Sequence, residues 1–367
     1  MGGRILLLGA GHAHLLLLRR AAAIRRRGHA LAIVAPGPFW YSGLATGVLN
    51  GERAPEEDQV DVAALAARAG AAFHRGRVAG LDRAARLVRL EDGTALPYDA
   101  LSLALGSETA PLPGAEALPD RVFPVKPIAN LWALRQALEA RFAAGRAAKV
   151  VVAGVGITGV ELAASVAGLA ARRGGRARVT ILAGEGPPLR GVPDSAAGPL
   201  LRSLRARGVA LASGRATAVR ADHVETTAGP LPFDLLAVAT GLRPPPVLAE
   251  LGLPLAADGA LAVDARLRSP ADPRVHGAGD CVAFEGHALP RAGVFAVRQA
   301  PVLRHNLLAA VEGGAPRRFR PRARYLWIMN LGDGTGFASY GPLHARGRLA
   351  LRWKDWLDRR FLAGLGP

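Results

Sequence analysis

Apolar residues along this chain come in short blocks, each broken by glycine or followed by a stretch with helical spacing. Two long segments repeat one pattern. The first is RILLLGAGHAHLLLLRRAAAIRRRGHALAIVAPG (Arg4–Gly37), and the second is KVVVAGVGITGVELAASVAGLAARRGGRARVTILAGEG (Lys149–Gly186). Each reads as an apolar strand, a Gly-x-Gly turn, an amphipathic helix, an Arg/Gly break and a further strand, which is a β-α-β unit. The echo continues in PYDALSLALGS (Pro97–Ser107) and PFDLLAVATGL (Pro232–Leu242), each a Pro-aromatic-Asp start, an apolar strand and a glycine exit. Gly9 to Gly106 spans 97 residues and Gly154 to Gly241 spans 87. Two matched pairs in one order predict duplicated nucleotide-binding domains.

The pattern changes after residue 320. Tyr325 onward alternates apolar and polar residues around Gly-Asp-Gly, which predicts a β-hairpin. From Leu349 the spacing is helical, with Trp353, Trp356, Leu357 and Phe361 forming an apolar stripe opposite Arg352, Arg359 and Arg360. Such a helix suits an anionic membrane interface, a docking site on the rest of the chain, or a homodimer contact.

Composition narrows the classes. At 367 residues, 50% apolar and 21% charged, the chain is globular and long enough for two domains. The formal charge is +18, yet lysine occurs only at Lys126, Lys149 and Lys354. The arginines are scattered without interleaved aromatics, so we read them as codon bias and expect no nucleic-acid partner. A single cysteine, Cys281, excludes an intrachain disulfide and any two-thiol mechanism. No metal site is expected. No run of eighteen apolar residues is present to cross a membrane. The N-terminal apolar run is interrupted by GAGHAH and does not read as a secretion signal. A cytoplasmic protein, peripheral on the inner face of the cell membrane if the tail binds lipid, is the expectation.

The second turn, Gly154-Val155-Gly156-Ile157-Thr158-Gly159, is a complete dinucleotide fingerprint between strand and helix. Gly154 makes the tight turn, Gly156 admits a pyrophosphate and Gly159 permits close helix–strand packing. The helix N-terminus supplies N–H groups to phosphate. The first turn, Gly9-Ala10-Gly11-His12-Ala13-His14, carries histidine in the third glycine's place. His14 is expected to pack at the domain interface. His12 either touches a cofactor or packs, with neither favoured. Ala35 and Ala183 stand where an acid usually grips the ribose hydroxyls. Glu185 and Arg190 follow nearby, leaving NADH and NADPH both open.

VHGAGDCVAF (Val275–Phe284) adds a late strand ending in Gly-x-Gly-Asp. This order of motifs resembles the FAD-dependent pyridine nucleotide–disulfide oxidoreductase superfamily over nearly the whole chain. GAGHAH, YSGLATGVLNG (Tyr41–Gly51), FPVKPI (Phe123–Ile128) and RAGVFAVRQAPVL (Arg291–Leu303) look most like the type II NADH dehydrogenase group. They look closer still to the flavoprotein domain found fused to selenophosphate synthase. The resemblance implies an α/β fold of the glutathione-reductase type. Residues 1–115 and 262–320 would form an FAD domain, 116–261 an inserted NAD(P)H domain, and 321–367 a hairpin and amphipathic helix.

Carried over by position, the resemblance gives FAD contacts to Gly9, Ala10, Gly11, His12, Ala13, Pro36, Val78, Leu105, Gly106, Gly279, Asp280, Ala296 and Val297. The helix beginning near Val294 would aim its N-terminus at the flavin. NAD(P)H contacts fall to Gly154, Gly156, Ile157, Thr158, Gly159, Glu161, Ala183 and Gly241. Glu161 would sit near nicotinamide and flavin. Lys126 would tune the flavin, pair with Glu161, or serve as a domain-linker contact. Cys281 is expected to pack, and the lack of a second cysteine argues against sulfide:quinone oxidoreductase activity. Type II dehydrogenases carry glutamines on the quinone-facing helix, where this chain has Val294 and Arg298 and keeps Gln299.

The expected activity is transfer of hydride from NAD(P)H to FAD, then of electrons to a quinone-type acceptor. The alternatives are a reductase with a soluble acceptor in selenium or sulfur metabolism, and a flavin-binding regulatory protein with little turnover.

Overall fold

The computed structural model describes residues 2–322 and 324–365. Residues 323, 366 and 367 of the expected tail segment lie outside it.

Two parallel sheets follow from the two repeats. In the first, Arg4–Leu8 pairs in parallel with Ala30–Ala35 on one side and Ala100–Leu103 on the other. Ala72–Arg75 and Asp272–Gly277 extend it at either side, and Arg268–Ser269 adds an antiparallel edge, giving six strands. In the second, Ala148–Ala153 lies between Ala177–Ala183 and Leu235–Val238, with Ala210–Ser213 and Val122–Pro124 outermost. The central strands are continuous apolar runs because both faces are covered, as parallel sheets require.

The repeats superpose in their hydrogen bonds. Gly9 N–H donates to the Val34 carbonyl at 2.8 Å, and Gly154 N–H donates to that of Leu182 at 3.0 Å. Ala104 N–H reaches Leu8 and Ala239 N–H reaches Ala153, at 2.9 and 2.8 Å. The chain crosses between the units at one antiparallel pairing, Glu108–Thr109 with Leu242–Arg243.

The first core contains Leu248, Leu251 and Leu253 beside Ile5, Leu7 and Leu103. Residues just after the crossing therefore pack with the first unit, ahead of the expected boundary at 262.

The tail forms the expected hairpin, Leu326–Asn330 with Gly336–Tyr340, and a third strand, Leu343–Gly347, that was not expected. The helix runs Arg348–Ala363. Met329, Leu331 and Phe337 enter the second core, while Phe361 and Leu365 pack on the first. The tail thereby straps both units. Its helix is turned differently from the expected stripe. Lys354 and Asp358 face inward and are buried, whereas Trp353 and Trp356 are about half exposed.

Candidate active site

A cleft lies where the two sheets present the carboxyl ends of their strands, the location ligands take in open α/β folds. It consists of two adjoining cavities of about 520 and 460 Å³ that share Gly11, Phe39, Trp40, Ala104, Gly106 and Ile128. The narrower end is walled by Gly9, Ala10, Pro36, Val78 and Leu105. The wider end is walled by His12, Lys126, Ile157, Thr158, Glu161, Gly241, Gly279, Asp280 and Ala296. Most of the residues expected at two separate pockets thus share one space.

The glycines at the turns are required by close approach. A Cβ on Gly9 or Gly11 would lie 2.6 Å from the Ala104 carbonyl oxygen. On Gly154 it would lie 2.4 Å from that of Ala239, and on Gly159 1.9 Å from that of Gly154. Gly156, by contrast, has no atom within 4 Å of such a Cβ, which leaves open space in front of the turn. The backbone alone is compatible with a dinucleotide at each turn.

Two expected FAD positions turn away. Ala13 is fully buried in the first core. Val297 borders a different groove with Leu16 and Arg20, because one residue past Ala296 rotates it off the cleft.

His14 is not at the domain interface. It is fully buried within the first unit, with Nδ1 2.6 Å from the Gly9 carbonyl oxygen and Nε2 2.8 Å from Ser102 Oγ. Gly9 O can only accept, so Nδ1 carries the proton and Nε2 accepts from the serine hydroxyl. Burial lowers its pKa to about 4, leaving the ring neutral. Where Gly159 makes room in the sibling turn, His14 instead ties helix, turn and strand together. His12 lines the wider cavity, and its ring packs against Phe39, Tyr41 and Phe361 at 5.1–5.6 Å.

Lys126 does not pair with Glu161. Its Nζ donates to Asp280 Oδ2 and to Ser107 Oγ, both at 2.8 Å. This bridges the crossing segment to the loop after the last strand of the first sheet. Asp280 is held below the ordinary carboxylate range: Lys126 and Ser107 outweigh a large opposing effect of burial. Gln299 also faces inward, its Oε1 accepting from Gly279 N–H at 2.7 Å, so it secures the Gly279–Asp280 turn.

Glu161 is a cleft residue. Its Oε1 accepts from Thr46 Oγ1 at 2.9 Å and from Asn330 N–H at 2.8 Å. Burial raises its pKa, and the charge of Lys354 only partly offsets this. Three elements distant in sequence converge on that carboxyl. Thr46 and Asn330 were missed in the sequence. Thr46 lies in the quoted Tyr41–Gly51 stretch, and Asn330 ends a hairpin strand, but neither carries a chemical signature alone.

Beyond Glu161, Tyr41 Oη donates to Asp358 Oδ1 at 2.8 Å and Lys354 Nζ to Asp358 Oδ2 at 2.7 Å. Lys354 also donates to the Gly43 carbonyl. These bonds explain why the tail helix turns its charged residues inward. Cys281 is fully buried, with a thiol raised to about 11 by desolvation, consistent with packing. No cluster that could hold a metal occurs among the described residues.

Two fused dinucleotide-binding units, each with a glycine turn between strand and helix, define the class. The pyridine nucleotide–disulphide oxidoreductase family model matches residues 3–302, and the chain belongs to that family. The nitric oxide reductase FlRd-NAD(+) reductase of Aeromonas hydrophila is 34% identical over 250 residues, 65% of this chain and 58% of that protein. This chain thus spans under two thirds of that relative. Demethylphylloquinone reductase NdbB of Synechocystis sp. is 26% identical over 366 residues, 92% of this chain and 88% of that protein. The sulfide:quinone oxidoreductase of Aquifex aeolicus shares the fold, with TM-score 0.84 and 16% identity over 99% of this chain and 91% of that one. The chain is an NAD(P)H-dependent oxidoreductase, and its cofactors are FAD and NAD(P)H.

Proposed function

We propose that this chain is an FAD-dependent NAD(P)H reductase of a quinone-type acceptor that arrives through the tail side of the cleft. The chemistry that bound FAD would supply is two-electron transfer from NAD(P)H to an acceptor. The protein supplies position, exclusion of water and fixed charge. The narrower cavity with the Gly9–Gly11 turn suits the FAD adenylate, and the Gly154–Gly159 turn suits the nicotinamide nucleotide. Lys126 would fix Asp280 beside the flavin end, and His12 would present a neutral ring there. With Oε1 of Glu161 already accepting two bonds, a proton on that carboxyl belongs on Oε2.

One observation carries the choice of acceptor. Trp327, Ile328 and Met329 line the wider cavity, and the sheet and helix that hold them carry an exposed apolar group. Tyr340, Leu343, Leu349, Trp353 and Trp356 are the exposed large apolar side chains of the described chain. An apolar acceptor dissolved in a bilayer would meet that surface first, with tryptophans at headgroup depth and arginines on anionic lipid. No helix among the described residues is long and apolar enough to cross a membrane, so attachment would be peripheral.

A second reading, a soluble acceptor, is favoured by the net charge of +18, which would steer an acidic electron-carrier protein. A relative from Burkholderia cepacia bears the name ferredoxin--NAD(+) reductase component. Anaerobic reduction followed by reoxidation separates these readings. NAD(P)H should bleach the flavin, and a short-chain quinone should restore its colour within the mixing experiment. Restoration by an acidic ferredoxin alone would replace the quinone with a protein acceptor. Failure of both nucleotides to bleach the flavin would leave only the regulatory reading.

A further inference from the structure

The nucleotide turn at Gly154–Gly159 carries information on which nicotinamide nucleotide it takes. Ala183 ends the second strand of that unit, where a carboxylate would otherwise accept from the ribose hydroxyls and repel a 2′-phosphate. What surrounds that strand tip is cationic.

Leu189 holds a left-handed backbone, with φ of 55°, although it is not glycine. That conformation costs free energy and persists only where the surroundings enforce it. Its side chain is buried, and its N–H donates to the carbonyl of Val155, inside the glycine turn, at 2.9 Å. The segment after the strand is thereby pinned over the turn, and the next residue is Arg190, which is exposed. On the other side, Gly214 N–H donates to the Ala183 carbonyl at 2.9 Å. This sets the exposed Arg215 across the same tip, and a Cβ built on Gly184 would stand 4.0 Å from Arg215 Cβ. Neither guanidinium has an ion-pair or hydrogen-bond partner among the described residues. Glu185, also exposed, is the one acid between Ala183 and Pro193.

We infer that Arg190 and Arg215 form a 2′-phosphate site and that this protein is an NADPH-preferring enzyme. Two guanidinium groups against one exposed carboxylate leave a net positive charge at the strand tip. A 2′-phosphate brings roughly 1.5–2 negative charges and three acceptor oxygens. NADH, without that group, gains nothing from the arginines and meets no acid at Ala183 to accept from its ribose hydroxyls. This inference rests on the reading of the Gly154–Gly159 turn as the NAD(P)H site.

The test uses the FAD-loaded protein in anaerobic stopped flow with each nucleotide. The second-order constant for flavin reduction should favour NADPH by roughly ten-fold or more, the worth of one charge-assisted bond. The preference should sit in the apparent Kd, not in the limiting rate, and should shrink with added salt. R190Q and R215Q should each lower the NADPH-to-NADH ratio several-fold. A183E should invert it. Adenosine 2′,5′-bisphosphate should compete with NADPH more tightly than 5′-AMP, a readout independent of turnover. If NADH reduces the flavin at least as well as NADPH, or the ratio ignores both arginine variants, the inference is overturned while the reductase reading stands. If neither nucleotide reduces the flavin, the underlying reading fails with it.

Discussion

Replacing His14 with alanine tests the account of the unusual first turn. Above neutral pH the variant loses both hydrogen bonds of the ring and leaves a small void. Ser102 Oγ is fully buried and cannot rehydrate, whereas Gly9 is partly accessible. One stranded buried hydroxyl and a ring-sized void together cost about 3 kcal/mol. The pH dependence is the sharper readout. The native ring titrates near 4 against 6.5 for an exposed histidine. A depressed histidine pKa contributes stability in full above about pH 6.5 and loses it as the pH falls toward 4. Relative to pH 8, His14 should surrender roughly 1 kcal/mol at pH 5.5 and roughly 2–3 kcal/mol at pH 4.5. The alanine variant has nothing to surrender there. The gap between native and variant in urea unfolding should therefore narrow on acidification by those amounts. Other titrating groups are common to both proteins and cancel in the difference. Free FAD must be held constant, because ligand binding adds to apparent stability. A gap that stays constant from pH 8 to pH 5 would show that His14 is not the buried neutral tie described here.

Three further outcomes are expected. Gly159→Ala puts a methyl group 1.9 Å from the Gly154 carbonyl oxygen, so helix and strand must separate; FAD content should persist while the apparent Kd for NAD(P)H rises roughly ten-fold or more. Lys126→Met strands Asp280 and should cost about 1.5–3 kcal/mol in urea unfolding of the FAD-loaded protein, with the double variant Lys126→Met/Asp280→Asn recovering part of it. Because Asp280 is depressed against the opposing effect of burial, its stabilisation is present above the ordinary carboxylate range and lost as pH falls through its own pKa; the single variant lacks that contribution, so its deficit against the native protein should shrink as the pH falls through the carboxylate range. Trp353→Ser with Trp356→Ser should leave thermal unfolding nearly unchanged, since both rings are about half exposed, yet weaken sedimentation with anionic liposomes at least ten-fold; undiminished binding would refute the peripheral-membrane reading.

The repeated strand–turn–helix pattern was legible in one dimension because it is local. Apolar runs, glycine spacing and helical periodicity are set within a few dozen residues, and they sufficed for both sheets and the Gly154–Gly159 fingerprint. The same holds for the hairpin around Gly332 and Gly334, both left-handed in the turn. What the sequence could not rank were contacts between distant residues. His14 reads as an intruder until Ser102, 88 residues away, supplies its partner. Lys126 has several carboxylates within chemical reason, and only the crossing of the chain selects Asp280. The tail helix misled because its periodicity records two stripes, one apolar and one charged, without saying which meets protein. The Tyr41–Asp358–Lys354 network, with Asp358 and Lys354 buried, decided that, since a desolvated charge needs its partner more than an exposed tryptophan needs cover. Periodicity along the chain thus determined the elements and the two turns, whereas partner choice among buried polar groups was decided only by which strand ends the tertiary fold brings together.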